Sequence, residues 1–198
     1  MDSAAQKIVK RIRGKQRGWV FTPGDLLDIA KRANVDFILH RLVKQGVVRR
    51  LDRGLYDFPK QHPKLGALSP DAYDIAQAIA RKTGDKVQVS GARAANNLGL
   101  STQVPAKPVF VTDGKSHQID VDQRSIQLVH SSIPMRGLPD NVSLVLLALD
   151  WLGADKVDGA AISKCANYLS ASDKAKLSDS IPRLRNNWLR DTARQIAA

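Results

Sequence analysis

Residues 35–58 read VDFILHRLVKQGVVRRLDRGLYDF, and this stretch decides the fold. Leu39 and Leu42 follow Val35 at intervals of four and three residues, which predicts a helix with one buried face. We expect this helix to run from Val35 to Gln45.

A hairpin is predicted directly after this helix. Gly46 is expected to end the helix, because glycine readily adopts the left-handed backbone of a helix C-terminus. The β-prone runs 47–51 and 55–58 are joined by Asp52-Arg53-Gly54, with glycine in the tight position of the turn.

The residues before this stretch predict two further helices with a short extended piece between them. Apolar side chains over residues 5–12 recur at helical spacing, and residues 19–21 favour an extended backbone. Thr22 followed by Pro23 predicts the start of a second helix that runs to about Arg32. Helix, strand, helix, turn, helix and hairpin is the order of a winged helix-turn-helix.

We therefore expect an α+β protein with two domains. An N-terminal winged helix-turn-helix domain is predicted over residues 1–62, and prolines and a glycine in 59–66 predict a linker. A C-terminal mixed α/β domain is predicted over residues 69–198, with antiparallel strands and a helical tail beyond Pro139.

The charge of the chain favours a polyanionic partner. The net charge is +12, and residues 1–60 carry 14 Lys/Arg against 6 Asp/Glu. A surplus of this size typically serves nucleic acid binding, so double-stranded DNA is the expected partner. No stretch approaches the roughly 18 to 20 apolar residues of a membrane span, and we expect a cytoplasmic protein that does not bind membranes.

The outward side of the helix over residues 35–45 is the predicted DNA-reading surface. Arg41 and His40 suit base edges, Lys44 suits a phosphate, and Phe37 suits a thymine methyl group. Phe37 belongs to the core instead if the helix is rotated so that Ile38 is exposed. The predicted contacts of this helix are Asn34, Phe37, His40, Arg41 and Lys44.

The predicted hairpin adds a second set of cations. Arg49, Arg50 and Arg53 are expected at the DNA backbone, with Arg53 in the groove. Two alternatives remain: these charges form an ordinary solvated surface, or the winged fold binds another protein.

Two pairs of segments resemble the AbiEi-type antitoxins of bacterial type IV toxin–antitoxin systems. The first pair is Leu39-His40-Arg41-Leu42-Val43-Lys44-Gln45-Gly46 and Val48-Arg49-Arg50-Leu51-Asp52-Arg53-Gly54-Leu55-Tyr56. The second pair is Ser90-Gly91-Ala92 and Asn97-Leu98-Gly99-Leu100. The resemblance implies a transcriptional repressor that binds operator repeats upstream of its own operon and counters a nucleotidyltransferase toxin, without requiring a stable complex with that toxin.

The end of the chain offers a second candidate surface, for which a solvated face is the alternative. Its polar side chains fall along one side of a predicted helix. They are Arg183, Asn187, Arg190 and Arg194.

An enzyme is the less favoured interpretation. Residues 113–122 collect carboxylates and a histidine, which suits a metal-dependent nuclease. However, Ile119 and Val121 alternate with Asp120 and Asp122, which predicts a strand with a polar outer face. We therefore expect no catalytic residue, metal or cofactor, and an RNA-binding factor remains the other alternative.

Overall fold

The computed structural model describes residues 3–103, 105–122 and 124–198, which contain eight α-helices and nine strands. The helices are α1 (Ala4–Gly14), α2 (Arg32–Lys44), α3 (Ala72–Thr83), α4 (Gly91–Asn97), α5 (Asp140–Leu152), α6 (Gly159–Tyr168), α7 (Ala171–Ser180) and α8 (Asn187–Ala197). The strands are β1 (Val20–Phe21), β2 (Arg49–Asp52), β3 (Leu55–Asp57), β4 (Gln61–His62), β5 (Gly66–Ala67), β6 (Val87–Val89), β7 (Val109–Thr112), β8 (His117–Val121) and β9 (Arg124–His130). This mixture confirms the α+β class.

The chain forms two compact units whose boundary differs from the predicted linker. The first unit comprises Met1–Gly84 and Ile119–Ile126, and the second comprises Asp85–Gln118 and Gln127–Ala198. Helix α3 belongs to the first unit because it packs on β1, where the Arg81 guanidinium donates to the Val20 carbonyl at 2.8 Å. The small hairpin of β4 and β5 begins within the predicted linker and ends one residue beyond it, at Ala67.

The first unit has a three-stranded antiparallel sheet in the order β1-β3-β2. Val20 lies opposite Asp57, and Arg50 lies opposite Tyr56, so the predicted hairpin is confirmed. The core of the first unit is a cluster of apolar side chains from α1, α2, the sheet and the segments that connect them. The fully buried members include Ile8, Ile12, Phe21, Leu26, Val35 and Leu39.

The prediction of a second helix from Thr22 to about Arg32 is wrong. Only a four-residue 3-10 helix, Pro23–Leu26, forms there. The Asp25 carboxylate accepts a hydrogen bond from the Thr22 backbone N–H at 2.8 Å, which closes this short turn. Gly24 lowers the helix propensity of a segment that is already too short to be stable alone.

Helix α2 begins three residues earlier than predicted. It starts at Arg32, not Val35, after an extended backbone at Lys31. No capping signal marks this start in the sequence, because the N-cap residue Lys31 has no side-chain acceptor.

The four-stranded sheet corrects the prediction of an antiparallel arrangement. Its order is β6-β7-β9-β8, with β6 and β7 antiparallel but β7 and β9 parallel. In the parallel pair, Phe110 lies opposite Leu128. The parallel pair makes the sheet mixed, and its two strands are separated in the sequence by β8.

Helix α5 is the centre of the second unit. Its residues 142–149 are all buried, and α4, α7 and α8 pack against it. Gly91 allows the close approach of α4, because a Cβ atom there would lie 2.5 Å from the Cβ of Trp151. Within the described ranges, no helix combines the length and apolar character required to cross a membrane.

Candidate nucleic-acid interface

Helix α2 presents one apolar and one polar face, as predicted. Val35 and Leu39 are completely buried, and Ile38 and Leu42 are each 6% exposed. Phe37 is 60% exposed, so the alternative packing with Phe37 in the core and Ile38 outside is wrong. The buried stripe fixes which side of the helix faces solvent.

The exposed face of α2 is cationic. His40, Arg41 and Lys44 are exposed, and within residues 3–103 and the other described ranges none of them has a hydrogen bond or ion pair through its side chain. Asn34 is also exposed, in the first turn of the helix. Four of the five predicted α2 contacts are therefore polar groups available to a ligand, and Phe37 adds an apolar one.

The single acidic residue of α2 is neutralised within the helix. The single Nε–H of Arg32 is shared between the two carboxylate oxygens of Asp36, with N···O distances of 3.0 and 2.8 Å. This pair leaves the positive charge of Arg41 and Lys44 uncompensated on the exposed face. Arg32 was expected at the end of the preceding helix, because the predicted start of α2 lay three residues too late.

The turn of the β2–β3 hairpin presents Arg53. Gly54 has a φ of +72°, the left-handed conformation that a side chain disfavours, and this allows the tight turn. Arg53 is exposed and, as far as the described chain shows, makes no hydrogen bond or ion pair. The neighbouring Arg50 is also exposed, although its Nε donates to the Asp52 carbonyl at 3.3 Å.

Arg49 occupies a different environment from its neighbours. Its guanidinium donates to both carboxylate oxygens of Asp57, at 3.1 and 2.7 Å, and to the Leu68 carbonyl at 2.8 Å. The Asp57 side chain is 1% exposed, and its bond to Arg49 raises the pKa of the guanidinium. These contacts engage Arg49 inside the first unit, so we remove it from the set of available DNA contacts.

Two cations of the α1 region are also engaged. Arg11 donates to Asp28 at 2.7 Å, and this bond lowers the pKa of the Asp28 carboxyl. The guanidinium of Arg17 lies 4.8 Å from the centre of the Phe58 ring and donates to the Pro59 carbonyl at 2.9 Å. Among the basic residues at positions 10–17, Lys10, Arg13 and Lys15 are exposed and without such a partner in the described part of the chain.

The predicted second surface, in the second unit, is largely engaged by its own unit. Arg190 donates through Nε to the Leu184 carbonyl at 2.6 Å and through an NH group to Asn187 at 3.4 Å. Arg194 pairs with Asp191 at 2.5 Å. Arg183 donates to the Arg136 carbonyl at 3.3 Å, so the three arginines of this set all have partners.

The acidic run over residues 113–122 does not assemble into a cation site. Across the described residues, no group of three or more His, Cys or Asp/Glu side chains is placed to hold a metal ion. Asp122 accepts a hydrogen bond from the Ser69 hydroxyl at 2.6 Å. Asp113 accepts hydrogen bonds from the Lys86 backbone N–H at 2.6 Å and from Arg136 at 3.1 Å.

Cys165 is a core residue. It is completely buried, and burial raises the pKa of its thiol to about 11. The thiol is therefore protonated at neutral pH and is a poor nucleophile.

Comparison with known proteins gives a family but no activity. The crystal structure of the RV2827C protein from Mycobacterium tuberculosis is 17% identical to this chain, covers 98% of it, and has a TM-score of 0.43; the match spans 78% of that protein. No curated protein matches the sequence. The family described as "Family of unknown function (DUF6088)" matches residues 7–177, and the chain therefore belongs to this family.

Proposed function

We propose that residues 4–58 form a winged helix-turn-helix that binds double-stranded DNA through the exposed face of α2. The proposal rests on one observation above all: Arg41, Lys44 and His40 share an exposed helix face and have no partner within the described ranges. In this assignment the 3-10 helix Pro23–Leu26 takes the place of the second helix, and the β2–β3 hairpin is the wing.

The chemistry of the exposed groups sets a division of roles. A guanidinium forms two hydrogen bonds to a guanine edge, so Arg41 reads sequence in the major groove. Lys44 is a point charge that suits a phosphate. Arg53, in the turn between β2 and β3, suits the DNA backbone or the adjacent minor groove.

We further propose that the protein is a non-enzymatic repressor of its own operon and the antitoxin of a type IV system. Support comes from the resemblance carried by residues 39–56 and by Ser90-Gly91-Ala92, which lies where α4 approaches α5. The functional partner in this proposal is a nucleotidyltransferase toxin. No residue of the second unit is assigned to it.

Fluorescence anisotropy with the full chain tests the DNA proposal. The probes are a labelled duplex from the region upstream of the gene, a shuffled duplex of the same composition and an RNA hairpin of the same length. The upstream duplex should bind about a thousandfold more tightly than the shuffled one. Arg41→Ala should reduce this preference by about ten- to a hundredfold, because one two-bonded base contact accounts for about 1–3 kcal/mol of discrimination. Arg185→Ala, at an exposed arginine of the second unit, should leave the preference unchanged.

Three results would contradict the proposal. They are equal binding of both duplexes by the wild type, tighter binding of the RNA hairpin, and retention of the full preference by Arg41→Ala. The neighbouring gene tests the antitoxin part: we expect a nucleotidyltransferase whose growth arrest is relieved by co-expression of this chain. A neighbouring gene of another class, or undiminished arrest, contradicts it.

A further inference from the structure

An open groove of about 470 Å³ runs between α1 and α2 in the first unit. Its α1 side extends from Ala5 to Arg13, and its α2 side extends from Ile38 to Gln45. Eight residues of helix rise about 12 Å, so the groove is about two helical turns long.

The floor of the groove is apolar. It is formed by Ala5 and Val9 of α1 and by Ile38 and Leu42 of α2. Ala5 and Val9 are only partly buried, so apolar surface faces solvent between the two helices. A nucleic acid backbone is dominated by charged phosphates, and its small sugar carbons are a poor match for an apolar floor of this length.

The rim of the groove is cationic. Lys10 and Arg13 border it on α1, and Arg41 borders it on α2. In the part of the chain that the structure describes, none of the three has a side-chain hydrogen bond or ion pair. The groove is lined by no acidic residue, and the sequence of α1 contains none.

We propose that this groove binds an acidic amphipathic helix of a partner protein. Apolar side chains spaced three and four residues apart on such a helix fill a two-turn apolar floor. Carboxylates on both flanks of that stripe meet Lys10 and Arg13 on one side and Arg41 on the other. The proposal does not depend on DNA binding, although Arg41 belongs to both surfaces.

Anisotropy of labelled, hydrocarbon-stapled 14-residue helices tests the proposal with the full chain and no DNA. The probe set has a leucine or phenylalanine stripe flanked by glutamates. One control replaces the stripe with serine at the same charge, and another replaces the glutamates with lysine. A probe with both features should bind at least about tenfold more tightly than either control.

A charge-reversed pair of variants localises the binding. Lys10→Glu/Arg13→Glu should lower the affinity for the glutamate-flanked apolar probe by about tenfold or more, because attraction at the rim becomes repulsion. Lys64→Glu/Lys115→Glu makes the same change in net charge at exposed sites outside the groove and should leave affinity within about twofold. Circular dichroism confirms that each variant is folded.

Several outcomes overturn the proposal. If the serine-stripe probe binds as tightly as the apolar probe, charge alone accounts for binding. If both charge-reversed variants lower the affinity equally, the groove is not the binding site. If the glutamate-flanked probe binds no more tightly than the lysine-flanked probe, the partner is not acidic. Self-association of the wild type that Lys10→Glu/Arg13→Glu abolishes assigns the groove to a second copy of the chain.

Discussion

Helices α2 and α8 each bury one face and carry arginines on the other, but their guanidinium groups differ in what they contact. Arg41 of α2 is exposed and has no partner within the described residues. Arg190 of α8 is partly buried and bonds to the Leu184 carbonyl, and Arg194 bonds to Asp191. A basic helix face indicates a binding surface only when its cations are not already used by their own unit.

Arg49 and Arg41 give the same contrast within the first unit. Arg49 meets a buried carboxylate with two hydrogen bonds, whereas Arg41 meets solvent. Removal of an engaged arginine should therefore change stability, and removal of a free one should change binding. Four measurements, ordered from the largest expected effect to the smallest, test this division.

Loss of Arg49 should have the largest effect. Arg49→Met leaves the Asp57 carboxylate, which is 1% exposed, without its charged partner. An unpaired buried charge is strongly unfavourable, so the free energy of unfolding should fall by about 3 kcal/mol. Urea unfolding followed by circular dichroism measures the change.

The adjacent Arg50 provides the control for this experiment. Arg50→Met removes an exposed guanidinium with one weak bond to a carbonyl, and should change the free energy of unfolding by less than about 0.5 kcal/mol. Equal effects of the two substitutions would mean that the Arg49–Asp57 pair contributes nothing special.

Substitution of Arg41 by lysine should have the next largest effect, on binding alone. Arg41→Lys keeps the charge but loses the two parallel hydrogen bonds to a base, so affinity for the upstream duplex should fall roughly tenfold. Affinity for the shuffled duplex should stay constant. An unchanged affinity for the upstream duplex would show that Arg41 contacts only phosphate.

Arg53→Ala should reduce binding to both duplexes by a similar severalfold factor. A cation that contacts the backbone releases about one counterion, so the slope of log affinity against log salt should decrease by about 1. A titration at four salt concentrations measures the slope. A loss restricted to the upstream duplex would place Arg53 at base edges instead.

Arg190→Ala should have the smallest effect. Loss of its bonds to Leu184 and Asn187 should lower the free energy of unfolding by about 1 kcal/mol or less, with DNA affinity unchanged. If DNA affinity fell as much as in Arg41→Ala, the contrast between α2 and α8 would be wrong.

Local sequence signals predicted most of the first unit. The stripe of Val35, Leu39 and Leu42 indicated correctly which face of α2 is buried, and the turn at Gly54 indicated the hairpin. Periodicity succeeds here because a helix or a two-residue turn depends on neighbouring residues alone.

Features that depend on distant residues were missed. The parallel pairing of β7 with β9 skips a strand, and alternation within a strand does not specify its neighbour. The pairing of Arg49 with Asp57 could not be predicted, because the sequence did not show which residues of the two strands point toward the core. Arg49 was for this reason grouped with the free arginines.

Helix α7 lies within the predicted helical tail, but its bounds were not predicted, although the sequence carries a local signal for its start. Ser170 and Asp173 form a capping box at its start, with the Asp173 carboxylate accepting from the Ser170 hydroxyl at 2.8 Å. Only Leu177 is a buried apolar residue of this helix, so its apolar periodicity is too weak to detect. The capping box is therefore the main local signal for this helix.

Photocrosslinking at Phe37 tests the central claim most directly. Phe37 is 60% exposed in the middle of the cationic face of α2, so p-benzoylphenylalanine fits this position without disturbing the core. After irradiation with the upstream duplex, the full chain carrying it at Phe37 should crosslink to DNA, whereas the same residue at the exposed Tyr168 of the second unit should not. Crosslinking from Tyr168 but not from Phe37 would contradict the assignment of α2 as the DNA-binding helix.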